Sequence, residues 1–431
     1  MKTQLTAFAA LALAAEVACG DITVGKDGTE VSIYGILDVG VGSLEHSYGS
    51  SSFFISGVNP YNLNSSPNGY TGLFGSGISM SRVGIKGAAD LGSDWKAFFR
   101  LETAVNVVSG ELSNNGKSLY NDINGLKTAN GASAIDGQAF QRAAYLGLSH
   151  TTAGQLEIGR TTNLSLDQEA QYDPVQGAYV FSPLGFSGGI GGGLGATENT
   201  RFDNSLKYEN KVGPVQFGAQ YKFSGSKNDQ SAGTAFVLML GVDAGAFSAK
   251  GTYSHTTNTV AWATQYSNVV APDPNLQIEN TKGFMLSALY KITPDATAKV
   301  GYEYLTVSAP SNTSLTIITQ YFGMTLPSDA VNAAGEQNFS VFWVGGDYKF
   351  TKAFDFGVGY YNINTDNSPE VKKEYRAEAY SVLADYTFTP AFDAYAAIMA
   401  MRYDGVGLQK KAPILAYSSN AMYGVGLRFK F

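Results

Sequence analysis

Alternation of apolar and polar residues with a period of two is the feature that most constrains this chain. It is clearest at the C-terminus, where one face consists of large apolar residues: Tyr423, Val425, Leu427, Phe429 and Phe431. Mostly small and basic residues occupy the positions between them, and similar alternation recurs at 215–223, 284–291 and 298–304. Strict alternation is typical of a β-strand with one apolar face. The sequence therefore predicts an all-β protein.

Connectors of two very different lengths separate these segments. Short turns, such as those at 211–214, 292–295 and 389–391, alternate with long polar segments. The long segments lie near residues 44–76, 109–138, 162–200, 257–280, 308–336 and 403–419. A soluble sandwich has similar hairpins at both ends, whereas an outer-membrane barrel has short periplasmic turns and long extracellular loops. We therefore predict a transmembrane antiparallel β-barrel of about sixteen strands, each of roughly ten residues.

The first 20 residues have the features of a secretory signal. Lys2 precedes an apolar run, and the small residues Ala18 and Gly20 come just before Asp21. Such a segment is removed on export, so we expect a signal peptide at 1–20 and a barrel at 21–431. Cleavage removes Cys19, the single cysteine, and a chain without cysteine suits an oxidising envelope. The competing interpretation is a lipoprotein signal with Cys19 lipidated. Glu16 fits it poorly, because an apolar residue is expected three positions before the lipidated cysteine.

Charge and composition exclude several functions. The chain has 29 Lys and Arg against 36 Asp and Glu, a net charge of −7, so nucleic acid is not an expected partner because neutralising phosphates needs a basic surface. His46, His150 and His255 have no Ser or Asp partner at a recognisable spacing, so we expect neither an enzyme nor a metal site. The glycine-rich run at 188–193 lacks the strand, the helix and the Lys of a phosphate loop, and no cofactor is expected.

Six strings resemble Gram-negative general-diffusion porins, particularly those of the β-proteobacterial type. They are 31–38, 81–87 with 90–92, 95–102, 142–148, 154–160 and 423–431. Ala89 is a departure, because such porins usually carry an acidic residue there. The resemblance covers the N-terminal third and the last strand, whose final Phe431 is similar to the signal read by the barrel-assembly machinery. It implies a homotrimer in the bacterial outer membrane, in contact with outer-membrane lipid and lipopolysaccharide. Small hydrophilic solutes and ions are the implied cargo.

Four arginines are predicted to form a basic wall at the pore constriction. A barrel of sixteen strands encloses an aqueous lumen, and the charges at its narrowest point set its selectivity. Alternation turns Arg82, Arg100 and Arg201 toward this lumen and Phe202 toward lipid. The resemblance adds Arg160, which simple alternation would turn toward lipid. We therefore expect a local irregularity at Gly159.

The segment 162–200 is too long to be a simple connecting turn and is predicted to be the constriction loop. It carries Asp167, Glu169 and Asp173, which are expected to face the arginines and produce a transverse field across the pore. Four arginines against three carboxylates leave the sign of ion selectivity open. The leading hypothesis is an outer-membrane porin for passive diffusion, and the alternative is a substrate-specific channel of the same fold.

Overall fold

The computed structural model describes most of the chain outside the long loops. The described residues are 22–26, 28–46, 68–108, 110, 139–186, 201–224, 233–257, 260–262, 275–277, 280–308, 337–366, 374–405 and 418–431. The predicted signal peptide and the glycine-rich run at 188–193 lie outside these ranges. Among the described helices, none combines the length and the apolar character needed to cross a membrane.

Twenty strands and two helices lie within the described ranges. The strands are β1 (Ile22–Lys26), β2 (Thr29–Leu44), β3 (Tyr70–Gly75), β4 (Arg82–Gly92), β5 (Trp95–Ala104), β6 (Ala143–His150), β7 (Gly154–Thr162), β8 (Arg201–Val212), β9 (Val215–Lys222), β10 (Thr234–Ala244), β11 (Phe247–Thr257), β12 (Val260–Trp262), β13 (Asn275–Gln277), β14 (Asn280–Thr293), β15 (Ala296–Ser308), β16 (Gln337–Lys349), β17 (Phe354–Asp366), β18 (Glu374–Thr389), β19 (Phe392–Gly405) and β20 (Ser419–Lys430). The helices α1 (Leu164–Tyr172) and α2 (Pro183–Phe186) lie between β7 and β8.

Antiparallel pairing runs from strand to strand around the molecule and closes where β20 pairs with β2. The closing register joins Ile36 to Lys430 and Leu44 to Met422. β3 and β4 both pair with β2 and form a single barrel strand interrupted at 76–81. The result is a closed antiparallel barrel of 16 strands, which confirms the predicted fold. β12 and β13 form a separate ribbon of two strands.

The outward face of the barrel is apolar. Leu238, Leu240 and Val425 are 53%, 64% and 59% exposed, as side chains that face lipid are expected to be. Aromatic ring pairs lie close to the short turns, with Tyr348 against Phe350 at 4.8 Å. Rings at this height suit the boundary between lipid and water. The outward half of the alternation therefore matches the membrane.

The inward face is not uniformly polar. The inner sides of β4 to β11 carry charged residues such as Lys86, Glu102 and Lys207. The inner sides of β16 to β19 instead carry buried apolar residues: Val341, Trp343, Tyr361, Ile363, Met399 and Met401. These side chains share one apolar cluster with Val175 and Phe181 from the segment between α1 and α2. Part of the lumen is thus filled by an apolar core.

Candidate functional site

The segment after β7 folds back into the barrel and forms one side of a passage. α1 begins after Asn163, whose side-chain oxygen accepts a hydrogen bond from a backbone N–H of the first turn at 3.0 Å, a typical N-cap. The Gln168 side-chain amide donates to the Lys250 carbonyl at 2.9 Å. The Tyr172 hydroxyl lies 2.6 Å from Ser248 Oγ. These contacts hold α1 against the inner sides of neighbouring strands.

Asp173 fixes the end of α1 to the opposite wall. Its carboxylate accepts hydrogen bonds from the Tyr361 hydroxyl and from the Gly177 N–H. Lys299 Nζ donates to the Asp173 carbonyl at 3.0 Å, and Trp343 Nε1 donates to the Tyr172 carbonyl at 3.1 Å. Complete burial raises the pKa of the Asp173 carboxyl, against the lowering effect of these donors. Asp173 therefore serves as an anchor for the loop.

Apolar contacts continue this attachment beyond α1. The rings of Phe74 and Phe181 lie edge to face at 5.8 Å, an arrangement that aromatic pairs prefer. The Val180 N–H donates to the Gly77 carbonyl at 2.8 Å. The loop after β7 is therefore held by a core and by specific hydrogen bonds, so its position inside the barrel is fixed.

A cavity of about 1050 Å³ lies between the loop and the inner sides of β4 to β11 and β14. The loop contributes Leu166, Asp167, Gln171 and Tyr179 to its lining. The strand side contributes most of the charge: Arg82, Arg100, Arg142, Arg201, Lys207, Lys250, Lys291, Glu102, Glu157, Glu209 and Asp243. A passage lined by charged groups therefore remains beside the loop.

Four arginines stand together on this cavity, and we call Arg82, Arg100, Arg142 and Arg201 the arginine wall. Glu102 lies at its centre, forming a salt bridge to Arg142 and lying 3.6 Å from Arg82 Nε. The Arg201 Nε donates to the Arg142 carbonyl at 2.8 Å. The Glu102 carboxylate holds the Arg82 and Arg142 guanidinium groups close together, because both form salt bridges with it.

Arg160 lies at the irregularity expected from the sequence. The β7–β8 register shifts between Gly159 and Thr161, and Gly159 has φ +136°, which favours glycine. Arg160 turns inward there and forms a salt bridge to Asp203, and its Nε donates to the Gln141 carbonyl at 2.6 Å. Its charge is therefore matched by a carboxylate at this bulge.

The same bulge corrects the orientation predicted for Phe202. Alternation turned this ring toward lipid, but it is completely buried and packs with Leu164, Val237 and Met239. Asn204 has φ +53°, so the strand changes phase between Phe202 and the regular part of β8. A single irregularity thus moves both Arg160 and Phe202 to the inside.

The three loop carboxylates separate in the structure. Asp167 lines the cavity and forms a salt bridge to Lys207 on β8. Glu169 is 2% exposed on the buried face of α1, and Asp173 binds Tyr361. The expected row of three carboxylates opposite the arginines therefore reduces to Asp167, because a helix turns successive residues to different sides.

Four basic residues of the cavity were missed as site residues: Arg142, Lys207, Lys250 and Lys291. Alternation along β8 and β11 turns Lys207 and Lys250 inward, so a signal for both was present in the sequence. Arg142 precedes β6, and the phase of that strand would turn it outward, since Leu146 and Leu148 are exposed. Its inward position arises because the chain bends before Ala143, which alternation does not reveal.

Comparison with known proteins agrees with this architecture. The chain matches the family model described as Gram-negative porin over residues 3–406. An outer membrane porin protein of Bordetella pertussis is 31% identical over 222 residues, 51% of this chain and 49% of that protein. The match thus spans about half the length of this curated relative.

Two solved structures share the fold at low sequence identity. An anion-selective porin from Comamonas acidovorans has a TM-score of 0.61 and 16% identity, covering 94% of this chain and 100% of that chain. The trimer form of OmpT, an outer membrane protein of Vibrio cholerae, has a TM-score of 0.56 and 16% identity, with 94% and 100% covered. With a family match over most of its length and a closed barrel of 16 strands, this chain belongs to the Gram-negative porin family of the outer membrane.

Proposed function

We propose that this porin is a passive channel for small hydrophilic solutes and ions, with its narrowest passage between the arginine wall and the constriction loop. The observation that carries the proposal is the cavity of about 1050 Å³ between these two elements inside a closed barrel. Charged side chains line it, so hydrated ions and polar solutes find partners that apolar solutes do not. Removal of residues 1–20, a mature barrel from residue 21 and the constriction role of 162–200 are parts of this proposal.

Local charge supports a weak preference for anions. Seven basic and five acidic side chains line the cavity, an excess of two positive charges. Four of the five acidic ones form salt bridges: Glu102 with Arg142, Asp167 and Glu209 with Lys207, and Asp243 with Lys211. The net charge of −7 belongs to the whole chain, and salt screens charges beyond about 8 Å. The relative from Comamonas acidovorans is named as anion-selective, and the local charge count favours the same sign here.

Recording in planar bilayers tests the proposed function. We expect purified protein to form channels that stay open without ligand or energy source, with a current that rises linearly with salt. In a KCl gradient, the reversal potential is expected to have the sign of weak anion preference. Protein that is folded but does not conduct would contradict the channel. The substrate-specific alternative instead predicts that one solute binds inside the channel and blocks the ion current in a concentration-dependent, saturable way.

We also infer that this porin does not act as an enzyme, and the positions of two histidines support this inference. His150 Nδ1 accepts hydrogen bonds from the Thr152 and Ala153 N–H groups, both at 3.2 Å, and so closes a short turn. His255 packs edge to face against Phe236 at 5.6 Å. Each ring thus has a structural contact in place of the Ser or Asp partner that a barrel hydrolase needs.

A homotrimer is proposed from the shape of the outward face. An apolar groove of about 620 Å³ crosses β18, β19, β20, β2 and β3 and is lined by small residues such as Ala384 and Ala396. Small side chains let a second barrel approach closely. Gly35, another small residue on the outward face, is instead covered by the Phe431 ring.

We expect light scattering of detergent-extracted protein to give the mass of a trimer. Ala396→Trp should fill the groove and shift the protein toward monomer, because the added ring occupies the contact. Leu238→Trp, on a distant exposed position, is the matched control and should leave the trimer intact. A monomer at every protein concentration would contradict the trimer, and a trimer in Ala396→Trp would place the contact elsewhere.

Outer-membrane lipid, lipopolysaccharide and the barrel-assembly machinery are further proposed partners. Arg376 donates to Glu378 at 2.6 Å, and Arg402 is paired in register with Glu378. These residues lie on the outward face at the long-loop end, beyond Tyr360 and Tyr380. Arg376 is paired in register with Asp404, so the two arginines are matched by two acidic residues. The arginines are the groups here that can bind phosphorylated headgroups. The machinery is proposed to read the last strand, β20.

A further inference from the structure

The barrel strand formed by β3 and β4 is interrupted by an ordered segment that enters the lumen. Val39 pairs with Gly75, and Ile36 pairs with Arg82. Two residues of β2 therefore lie opposite the six residues 76–81, which leave the sheet. We call residues 76–81 the inner bend. A bulge of this size in a barrel strand redirects the chain and the side chains that it carries.

Asp38 holds the inner bend from the adjacent strand. It is completely buried, and its carboxylate accepts hydrogen bonds from the N–H groups of Gly77, Ile78 and Ser79 at 3.1, 2.9 and 2.8 Å. The Tyr395 hydroxyl donates to the same carboxylate at 2.6 Å. Successive N–H groups that converge on one anion form a nest, and hydrogen bonds to an ionised acceptor are among the strong ones.

The inner bend faces the same cavity as the arginine wall. Ile78, Ser79 and Met80 line that cavity. Arg82 Nη1 donates to the Met80 carbonyl at 3.4 Å, and Arg428 Nη1 donates to Ser79 Oγ at 2.8 Å. The bend therefore contacts two basic side chains that come from different strands.

The inner bend also contacts the constriction loop. The Gly77 carbonyl accepts the Val180 N–H at 2.8 Å. Gly77 itself lies so close to Tyr395 that an added Cβ would come within 2.0 Å of the tyrosine hydroxyl. Bend, loop and Asp38 are thus joined into one hydrogen-bonded unit inside the barrel.

We propose that the inner bend is a second constriction element and that Asp38 is the positioning residue that sets its place in the pore. The pore is then bounded by the constriction loop, the arginine wall and the tip of the bend at Ile78–Met80. This inference rests on the proposed channel function. It adds that passage depends on a segment other than the constriction loop.

Deleting residues 77–80 tests the proposal, because it leaves Ser76 and Ser81 opposite Asp38 and Leu37 and makes the barrel strand continuous. Asp38→Ser is combined with the deletion so that no buried carboxylate loses its donors. We expect a rise in single-channel conductance on the order of twofold and passage of larger neutral sugars in liposome swelling. A folded, heat-modifiable variant with unchanged conductance and sugar cut-off would overturn the proposal.

A second measurement leaves the bend intact. Ser79→Cys places a thiol at its tip, and Cys19 lies in the predicted signal peptide, so this thiol would be the only one of the mature chain. A charged, water-soluble thiol reagent is expected to lower the current in single steps. Ser43→Cys, on the outward face, is the matched control and should not respond. A steady current from modified Ser79→Cys would overturn the inference alone, whereas unmodified protein without conductance would overturn the proposed function.

Asp38→Asn tests the positioning role. An amide presents one oxygen and one NH₂ group, so part of the N–H nest would face a donor. We expect a severalfold rise in open-channel current noise, with a smaller rise for Tyr395→Phe, which removes one of the four donors. A quiet, unchanged channel in Asp38→Asn would overturn the role of this carboxylate.

Discussion

Removing Phe431 is expected to lower the amount of assembled barrel in the outer membrane severalfold, whereas Lys430→Ala should leave most of it. The terminal residue completes the closing seam. The Gly35 N–H donates to the Phe431 carbonyl at 2.7 Å, and the Phe431 N–H donates to the Gly35 carbonyl at 3.0 Å. Its ring covers Gly35, where an added Cβ would come within 2.4 Å of the ring. Deletion therefore removes both a backbone pair and a lipid-facing contact.

Two comparisons separate these contributions. Phe431→Ala keeps the backbone pair and loses the ring, so an intermediate level would assign part of the effect to each. Lys430 pairs with Asp393, which also binds Arg428, so loss of the lysine leaves that carboxylate with a cation. The measurement is the amount of heat-modifiable protein, that is, folded barrel, in outer-membrane fractions. Equal levels of folded barrel after Phe431 deletion and Lys430→Ala would contradict the prediction.

Replacing Arg82 and Arg201 together by Ser is expected to move the reversal potential toward cation preference. The double variant removes two of the seven basic side chains of the cavity and cancels its excess of two positive charges. In a tenfold KCl gradient, where ideal selectivity gives about 59 mV, we expect a shift on the order of 10 mV. Removing two long side chains should also admit larger neutral sugars.

Arg160→Ser is the matched control, since the Arg160 guanidinium forms a salt bridge to Asp203 at the β7–β8 bulge. It should change the reversal potential less than the double variant. Planar-bilayer recording and liposome swelling measure the two effects. If Arg160→Ser shifts the potential more than Arg82→Ser with Arg201→Ser, the arginine wall is not the selective element.

Much of the barrel could be predicted because strands in a membrane obey local rules. Each lipid-facing residue must be apolar and each strand must pair on both sides, so period-two alternation and loop length were enough to predict 16 strands. The inward positions of Arg82 and Arg100 follow from the same rule. The irregularity at Gly159 did not follow from alternation; it was expected because the resemblance to porins placed Arg160 inside, which requires a phase change.

The sequence by itself therefore determined the closed barrel, its outward apolar face and the strand that ends at Phe431. Only the tertiary structure decided what fills the lumen. β16 carries apolar residues on both faces, with Phe342 outside and Trp343 inside. The inward residue is apolar because the loop after β7 packs on it. Likewise, Asp38 meets the inner bend, and Asp173 meets Tyr361, 188 positions away in the chain. Contacts inside a barrel join strands that are distant in sequence, and no local period encodes which of them meet.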